Sequence, residues 1–334
     1  LRFNDWEDGV VGAFIHGGTD AEPRPRYDFS SNANALGPNP YVLENIYKAD
    51  LAHYPDPNYT ELYRALAASH SVEEDRIAVG AGSSELIHRL VRWKATKSVL
   101  VLKPTFSEYA RAAQIAGVEV WEVEGAEDYL SCLARASLAF LCIPNNPTGE
   151  VYDFLQQAAL MAKEHGVVLV CDLAYLPLLQ VSLELPSSLW KLYSPNKANG
   201  LTGIRGGYLI APETIRDFRH QAPSWIVSAY AEAFLTSSLR PEAQAWIGTS
   251  IPMLWQWRDQ LAQSLQALGL EVRVGQANFL LVKVNQASNI TQSLRHKQIA
   301  VRDCTSFGMP QFMRLSAQKP EAQTVLVDEL KNMI

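Results

Sequence analysis

The sequence predicts an α/β protein with two unequal parts. The larger is a domain with a mainly parallel sheet covered by helices on both faces, and the smaller is an α+β domain at the carboxyl end. Three observations lead there. From about residue 76 short apolar runs alternate with amphipathic segments, polar clusters fall where the apolar runs end, and beyond residue 268 the pattern shifts to short strands and a closing helix. Strands that are apolar throughout belong to parallel sheets buried on both faces. Such sheets take ligands outside the carboxyl ends of their strands.

The elements follow in order. Residues 76–80 read as a strand, and 84–94 as a helix because Leu86, Ile87, Leu90 and Val91 share a face. The spacing then predicts a strand over 98–102, a helix over 106–116, strands over 118–123 and 138–143, a helix over 153–165, and strands over 167–171, 189–193 and 206–210. A long helical stretch covers 226–268. Strands at 271–274, 279–284 and 312–316 and a helix over 321–333 complete the smaller domain. With 334 residues, the chain exceeds the roughly 250–300 that one core holds. The division expected is an amino-terminal arm, 1–40, packed on the small domain and the site, a large domain, 41–240, and a small domain, 241–334.

Composition narrows the function. Hydrophobic residues make up 48% and charged residues 19%, which excludes a disordered chain. A net charge of -6 gives no basic footprint for nucleic acid, and no apolar run approaches the roughly 20 residues of a membrane span. The start, Leu1-Arg2-Phe3-Asn4-Asp5-Trp6, has no basic segment leading into an apolar one, and Cys132, Cys142, Cys171 and Cys304 are scattered. A cytoplasmic enzyme with reduced thiols is the expectation.

Four clusters carry chemistry. Gly80-Ala81-Gly82-Ser83-Ser84-Glu85 opens a helix, where unpaired N–H groups and two hydroxyls suit a phosphate. Half of a dinucleotide fingerprint is an alternative, but Glu85 replaces its third glycine; a plain Ser-rich helix cap is another. Ser194-Pro195-Asn196-Lys197, with Gly200, Gly203 and Arg205 after it, suits a lysine that forms an imine beside a bound phosphate, Arg205 gripping the phosphate by its planar fork. Otherwise Lys197 is a solvated lysine and Arg205 a surface cation. Asp172, ending an apolar run, can keep a pyridinium nitrogen protonated, or else cap a turn. Asn146, in Asn145-Asn146-Pro147-Thr148-Gly149, and Tyr175 can donate to a phenolic oxygen; alone, 145–149 is a good turn.

In order and spacing these residues resemble the fold-type I pyridoxal-phosphate enzymes, the aspartate-aminotransferase superfamily, over nearly the whole chain. Within it they look like the branch holding histidinol-phosphate aminotransferases and the L-threonine-O-3-phosphate decarboxylases of cobalamin synthesis. The resemblance implies pyridoxal 5'-phosphate bound as a Schiff base on Lys197, its ring nitrogen on Asp172 and its ring oxygen near Asn146 and Tyr175. Ser83, Ser84, Ser194 and Arg205 would hold its phosphate, and Phe106, in Pro104-Thr105-Phe106-Ser107-Glu108-Tyr109, would stack on its ring. Tyr54, in Tyr54-Pro55-Asp56-Pro57, matches a tyrosine that reaches the neighbouring subunit's cofactor, which implies a homodimer.

Three segments resemble the decarboxylases in particular: His16-Gly17-Gly18, Asp28-Phe29-Ser30-Ser31-Asn32-Ala33-Asn34-Ala35-Leu36-Gly37, and Val301-Arg302-Asp303-Cys304 followed by Met313-Arg314-Leu315. By that likeness Arg302 and Arg314 bind the phosphate and carboxylate of a phosphorylated amino-acid substrate, with His16, Gly17, Asn32 and Asn146 assisting. Threonine phosphate would lose carbon dioxide to give aminopropanol phosphate; transamination of histidinol phosphate is the alternative. The chain departs from the family pattern at Ala35, Ile143, Leu173 and Asn199, none of them at the imine, nitrogen or phosphate contacts.

Overall fold

The computed structural model describes residues 17–18 and 20–333. It begins with β1 (Tyr27–Asp28), α1 (Pro40–Tyr47) and α2 (Thr60–His70). The central sheet and its crossovers follow: β2 (Ile77–Gly80), α3 (Ser83–Lys94), β3 (Ser98–Lys103), α4 (Glu108–Ile115), β4 (Glu119–Glu124), α5 (Ala126–Leu133), β5 (Leu138–Cys142), α6 (Leu155–His165), β6 (Val168–Asp172), β7 (Trp190–Tyr193) and β8 (Gly207–Ile210). Then come α7 (Arg216–His220), α8 (Ala229–Ser238) and α9 (Pro241–Ala267). The carboxyl-terminal part holds β9 (Val272–Val274), β10 (Phe279–Lys283), α10 (Ala287–His296), β11 (Ile299–Ala300), β12 (Arg302–Asp303), β13 (Phe312–Ser316) and α11 (Pro320–Lys331).

The seven strands of the central sheet run β2-β8-β7-β6-β5-β3-β4. All neighbours are parallel except β8, which is antiparallel to both β2 and β7. Both faces are covered, as the apolar strands require. Leu86, Leu90, Tyr109 and Phe218 bring α3, α4 and α7 onto one face; Tyr129, Leu133 and Ala158 bring α5 and α6 onto the other. Helices α1, α2 and α8 close over β2 and β8. The smaller sheet, β12-β13-β10-β9, is antiparallel and packs on α9, α10 and α11. The amino-terminal segment belongs to this second core: β1 pairs with β11 and Phe29 is fully buried within it.

Several sequence expectations shift. The strand expected over 118–123 is β4, which carries three glutamates and alternates because it is the open edge of the sheet. Phe106 precedes its helix, which starts at Glu108. The single stretch expected over 226–268 breaks at Arg240, which is extended ahead of Pro241 because proline disfavours a helical residue before it. The sequence reading proposed no element for α1, α2, α5, α7 or α10. The first of these had a readable start, with the Asn39 side chain accepting from the Tyr41 amide and Pro40 in the first turn.

Glu85, the residue that spoils the dinucleotide pattern, has a structural task. It pairs at 2.9 Å with Arg89, whose side chain is 1% exposed, donates to the Val79 carbonyl at 2.7 Å and lies over the Phe218 ring. Removing one partner strands a buried charge. Glu85→Ala is therefore expected to destabilise the protein by about 3 kcal/mol in denaturant unfolding; a loss below about 1 kcal/mol would mean that water solvates Arg89 instead.

Candidate active site

The parallel strands β5 and β6 are aligned so that Cys142 faces Asp172, and β6 and β7 so that Asp172 faces Leu192. Their three following loops therefore emerge side by side. They carry Asn146, Tyr175 and Lys197 into one cavity of about 540 Å3, with Asp172 at its wall. Ser83 and Ser84 enter from the start of α3, Ser194 and Arg205 from either side of Lys197, and Phe106 from the loop after β3.

At the start of α3, Gly82 has φ of 86°, a conformation open to glycine, and a Cβ there would lie 2.8 Å from an Arg205 nitrogen. The guanidinium thus lies against the bare backbone beside the first amides of the helix. Gly207 approaches the same turn, and its Cβ would be 3.1 Å from the Ser83 nitrogen. Together they form a cradle of N–H groups, hydroxyls and a cation for a phosphate.

Asp172 is 3% exposed. One carboxylate oxygen accepts from the Tyr109 hydroxyl at 2.8 Å and the other from the Ala174 amide at 3.1 Å. Burial raises its pKa to about 6, against the pull of those two donors. Tyr109, stacked flat on Phe140, has no role in the sequence reading although it lies in a segment quoted there. No local signal marked it, because it meets Asp172 across 63 positions of the chain.

Lys197 Nζ donates to the Ser31 carbonyl at 2.6 Å. Burial first, then the Arg314 guanidinium, lowers its pKa to about 8, with Arg205 adding to the effect. The amino-terminal segment laces the lysine's loop: the Asn34 amide donates to the Lys197 carbonyl, its side chain to Ala198, and the Asn39 amide to Asn199. Asn199, a departure from the family pattern, is fully buried and accepts from the Asn39 side chain.

Arg302 and Arg314 face each other across β12 and β13. Arg314 donates to Asn146 Oδ1 and, at 2.6 Å, to the Ser30 carbonyl, while its buried Nε has no partner among the described residues. Arg302 donates to Ser306 at 2.7 Å, and burial, then Arg314, lowers its pKa to about 10. Gly17 packs here, since a Cβ on it would collide with the Ser30 carbonyl and lie 3.3 Å from Arg314.

The other expected residues lie elsewhere. Asn32 is fully buried behind the cavity, 3.5 Å from the Tyr175 hydroxyl. Tyr54 is 78% exposed and stacks on Trp225, away from this chain's cavity. His16 lies outside the described residues. Arg24, Asn196 and Thr202, to which the sequence reading gave no role, also line the cavity. Among the described residues no helix is long and apolar enough to cross a membrane, and no group of His, Cys, Asp and Glu is placed to hold a metal ion.

A family model described as aminotransferase class I and II matches residues 26–330. The chain is 30% identical to the histidinol-phosphate aminotransferase of Moorella thermoacetica over 91% of this chain and 84% of that one. It is 28% identical to the threonine-phosphate decarboxylase of Salmonella typhimurium over 93% and 92%. Its fold is similar, at a TM-score of 0.81 and 22% identity, to the histidinol-phosphate aminotransferase of Sinorhizobium meliloti in complex with pyridoxal 5'-phosphate, covering 92% and 91% of the two chains.

The residues fit pyridoxal phosphate. A Cβ at Gly82 would collide with the Arg205 guanidinium that stands ready for a phosphate at the helix start, Asp172 is a buried carboxylate suited to the ring nitrogen, and Lys197 is a desolvated amine in the same cavity. Two expectations follow. The lysine's lowered pKa means that covalent loading of cofactor-free protein should accelerate with pH and level off above about 8, read from the visible absorption; a midpoint near 10 would place Lys197 in ordinary solvation. Asp172, with its pKa raised from 3.8 to about 6, contributes stability below pH 4 that is lost as pH rises through about 6, a swing of about 3 kcal/mol. The melting temperature of cofactor-free wild type relative to Asp172→Asn should thus fall across that window, and a constant difference would contradict the raised pKa.

Proposed function

The chain belongs to the aminotransferase class I and II family and is a pyridoxal-phosphate-dependent enzyme; within that family we propose that it decarboxylates L-threonine O-3-phosphate to aminopropanol phosphate in cobalamin formation. The observation that carries this reading is the seat of Gly17 against Arg314. The His16-Gly17-Gly18 segment is one of three that resemble the decarboxylases, and Gly17 packs on Arg314, one of the two arginines that the resemblance assigns to the substrate. The Gly18 amide donates to Ser30 Oγ at 3.0 Å, which ties Gly18 to the same loop.

When bound, pyridoxal phosphate supplies a protonated ring that takes up the electron pair released at the substrate's Cα. Lys197 would hold it, and Asp172, oriented by Tyr109, would keep the ring nitrogen protonated. Asn146 and Tyr175 would face its ring oxygen. Which bond at Cα breaks would depend on how this chain's residues orient the substrate's carboxylate. Arg314 cannot swing freely, since Asn146 and the Ser30 carbonyl hold two of its nitrogens. Each of those nitrogens keeps a second N–H, and a carboxylate that takes both is fixed in direction as well as place. Loss of carbon dioxide then leaves Cα to be reprotonated, and the Lys197 amine, with its pKa near 8, can deliver that proton.

A homodimer belongs to this reading. Tyr54 stands exposed with Tyr47 and Leu51, at 78%, 77% and 60%, on a face where a second copy would bury them. Transamination of histidinol phosphate is the second reading, supported by the similar identity to an aminotransferase of that kind.

The deciding experiment supplies holoenzyme with L-threonine O-3-phosphate, and separately with histidinol phosphate plus 2-oxoglutarate. Carbon dioxide released without a keto acid is the expected result, and glutamate formed from the second mixture would replace the decarboxylase reading. In the first assay Arg314→Lys should lower kcat/KM about 100-fold, because an ammonium cannot reproduce the fork.

A further inference from the structure

The cavity holds more positive charge than the cofactor and one carboxylate require. Arg24, Lys197, Arg205, Arg302 and Arg314 line it, against the carboxylates of Asp28 and Asp172. Arg205 faces the phosphate cradle, Lys197 is the attachment point, and Asp172 answers the ring nitrogen. Three guanidinium groups remain, against one acid. That acid, Asp28, is turned toward its own loop, where one oxygen accepts from the Ser30 amide at 2.7 Å and from the Ser30 hydroxyl at 2.6 Å. An α-carboxylate supplies one negative charge and a phosphate monoester a further ~1.5–2 at neutral pH. The surplus matches a substrate carrying both.

Of the three, Arg24 differs in its setting. Arg302 and Arg314 are buried and already engaged by Ser306, Asn146 and Ser30. Arg24 is exposed, and its guanidinium has no hydrogen-bond or ion-pair partner among the described residues. Yet its backbone is closely held. It lies between Pro23 and Pro25, whose rings fix their own φ and restrict the residue before each. Pro25 is buried, and the Pro23 carbonyl accepts from Arg295 at 2.7 Å. Arg295, on α10, also grips Asp20 through two nitrogens at 2.9 and 2.7 Å. A free cation on a fixed backbone at a cavity wall is pre-organised for an anion that stays partly hydrated.

We propose that Arg24, on the Pro23-Arg24-Pro25 strap, binds the distal phosphate of the substrate and selects phosphorylated over unphosphorylated amino acids, and that Arg295 is the positioning residue that holds the strap. The proposal rests on the reading of a phosphate-bearing amino-acid substrate given above. Arg24 thus adds to the anion binding that the resemblance gives Arg302 and Arg314: Arg314 for the carboxylate, Arg302 and Arg24 for the phosphate.

The test is rapid-mixing titration of holoenzyme with L-threonine O-3-phosphate and with L-threonine, read from the cofactor's visible absorption before turnover, for wild type, Arg24→Gln, Arg295→Gln and the double variant. Arg24→Gln should weaken phosphothreonine at least tenfold more than threonine, and Arg24→Lys should restore part of the loss. Arg295→Gln should shift the same ratio in the same direction and add little on top of Arg24→Gln, because it acts through that residue. Equal weakening of both ligands, no change in their ratio, or full additivity in the double variant would overturn the assignment. Carbon dioxide release by wild type is read in parallel. Its absence with the affinity shift intact would remove the decarboxylase reading and leave the Arg24 assignment standing, and its presence with no shift would do the reverse.

Discussion

The in-register parallel pairing of β5, β6 and β7 is the constraint on which the rest of the site depends. Because Cys142, Asp172 and Leu192 are level across the three strands, the chain must leave the sheet three times within a few ångströms. Each exit delivers one chemical function: a side-chain amide at Asn146, a buried carboxylate at Asp172, an amine at Lys197. A slip of one residue in either pairing would turn Asp172 to the opposite face of the sheet, since side chains alternate along a strand. The antiparallel β8 adds the fourth component by returning beside β2, with Gly80 opposite Gly207, so that Arg205 reaches the first turn of α3.

What this framework holds is an excess of like charge at short range. Arg302 and Arg314 are cross-strand neighbours, and Lys197 feels Arg314 and Arg205. Such crowding opposes folding, and the protein offsets it locally with neutral acceptors: the Ser30 and Ser31 carbonyls, Asn146 and the Ser306 hydroxyl. Carbonyl oxygens orient a cation without cancelling its charge. The site therefore stays strongly positive until anions arrive, which favours ligands with several negative charges over those with one.

The sequence made the loops at strand ends legible because each is short and joins an apolar run to its cluster directly, so that Ser83, Asn146, Asp172 and Lys197 could be read as one constellation from order alone. Residues that act through long-range contact were not legible. Tyr109 meets Asp172 across 63 positions, Ser30 meets Arg314 across 284, and Arg295 meets the Pro23 carbonyl beside Arg24 across 272. Nothing local in Ser30-Ser31 distinguishes two carbonyl acceptors from an ordinary loop. The same holds for α1, α2 and α10, which are short and gain their stability from packing more than from propensity.

Arg314 joins three otherwise separate parts of the chain. Its backbone belongs to β13 of the smaller sheet, one nitrogen to the loop after β5 through Asn146, and another to the amino-terminal segment through Ser30, against which Gly17 also rests. The direction of its guanidinium is thus set by the relative placement of all three, whereas Ser83, Asp172 and Lys197 are placed first by the large sheet. The two sets of constraints overlap, since the amino-terminal segment also bonds Lys197 through Ser31 and Asn34. A chain can keep Ser83, Asn146, Asp172, Lys197 and Arg205 while a shift at Ser30 or Gly17 re-aims the Arg314 guanidinium. On the reading proposed above, that is a physical reason for decarboxylases and aminotransferases to share this fold at similar identity, with the choice between them lying at Gly17, Ser30 and Arg314 rather than at Lys197 or Asp172.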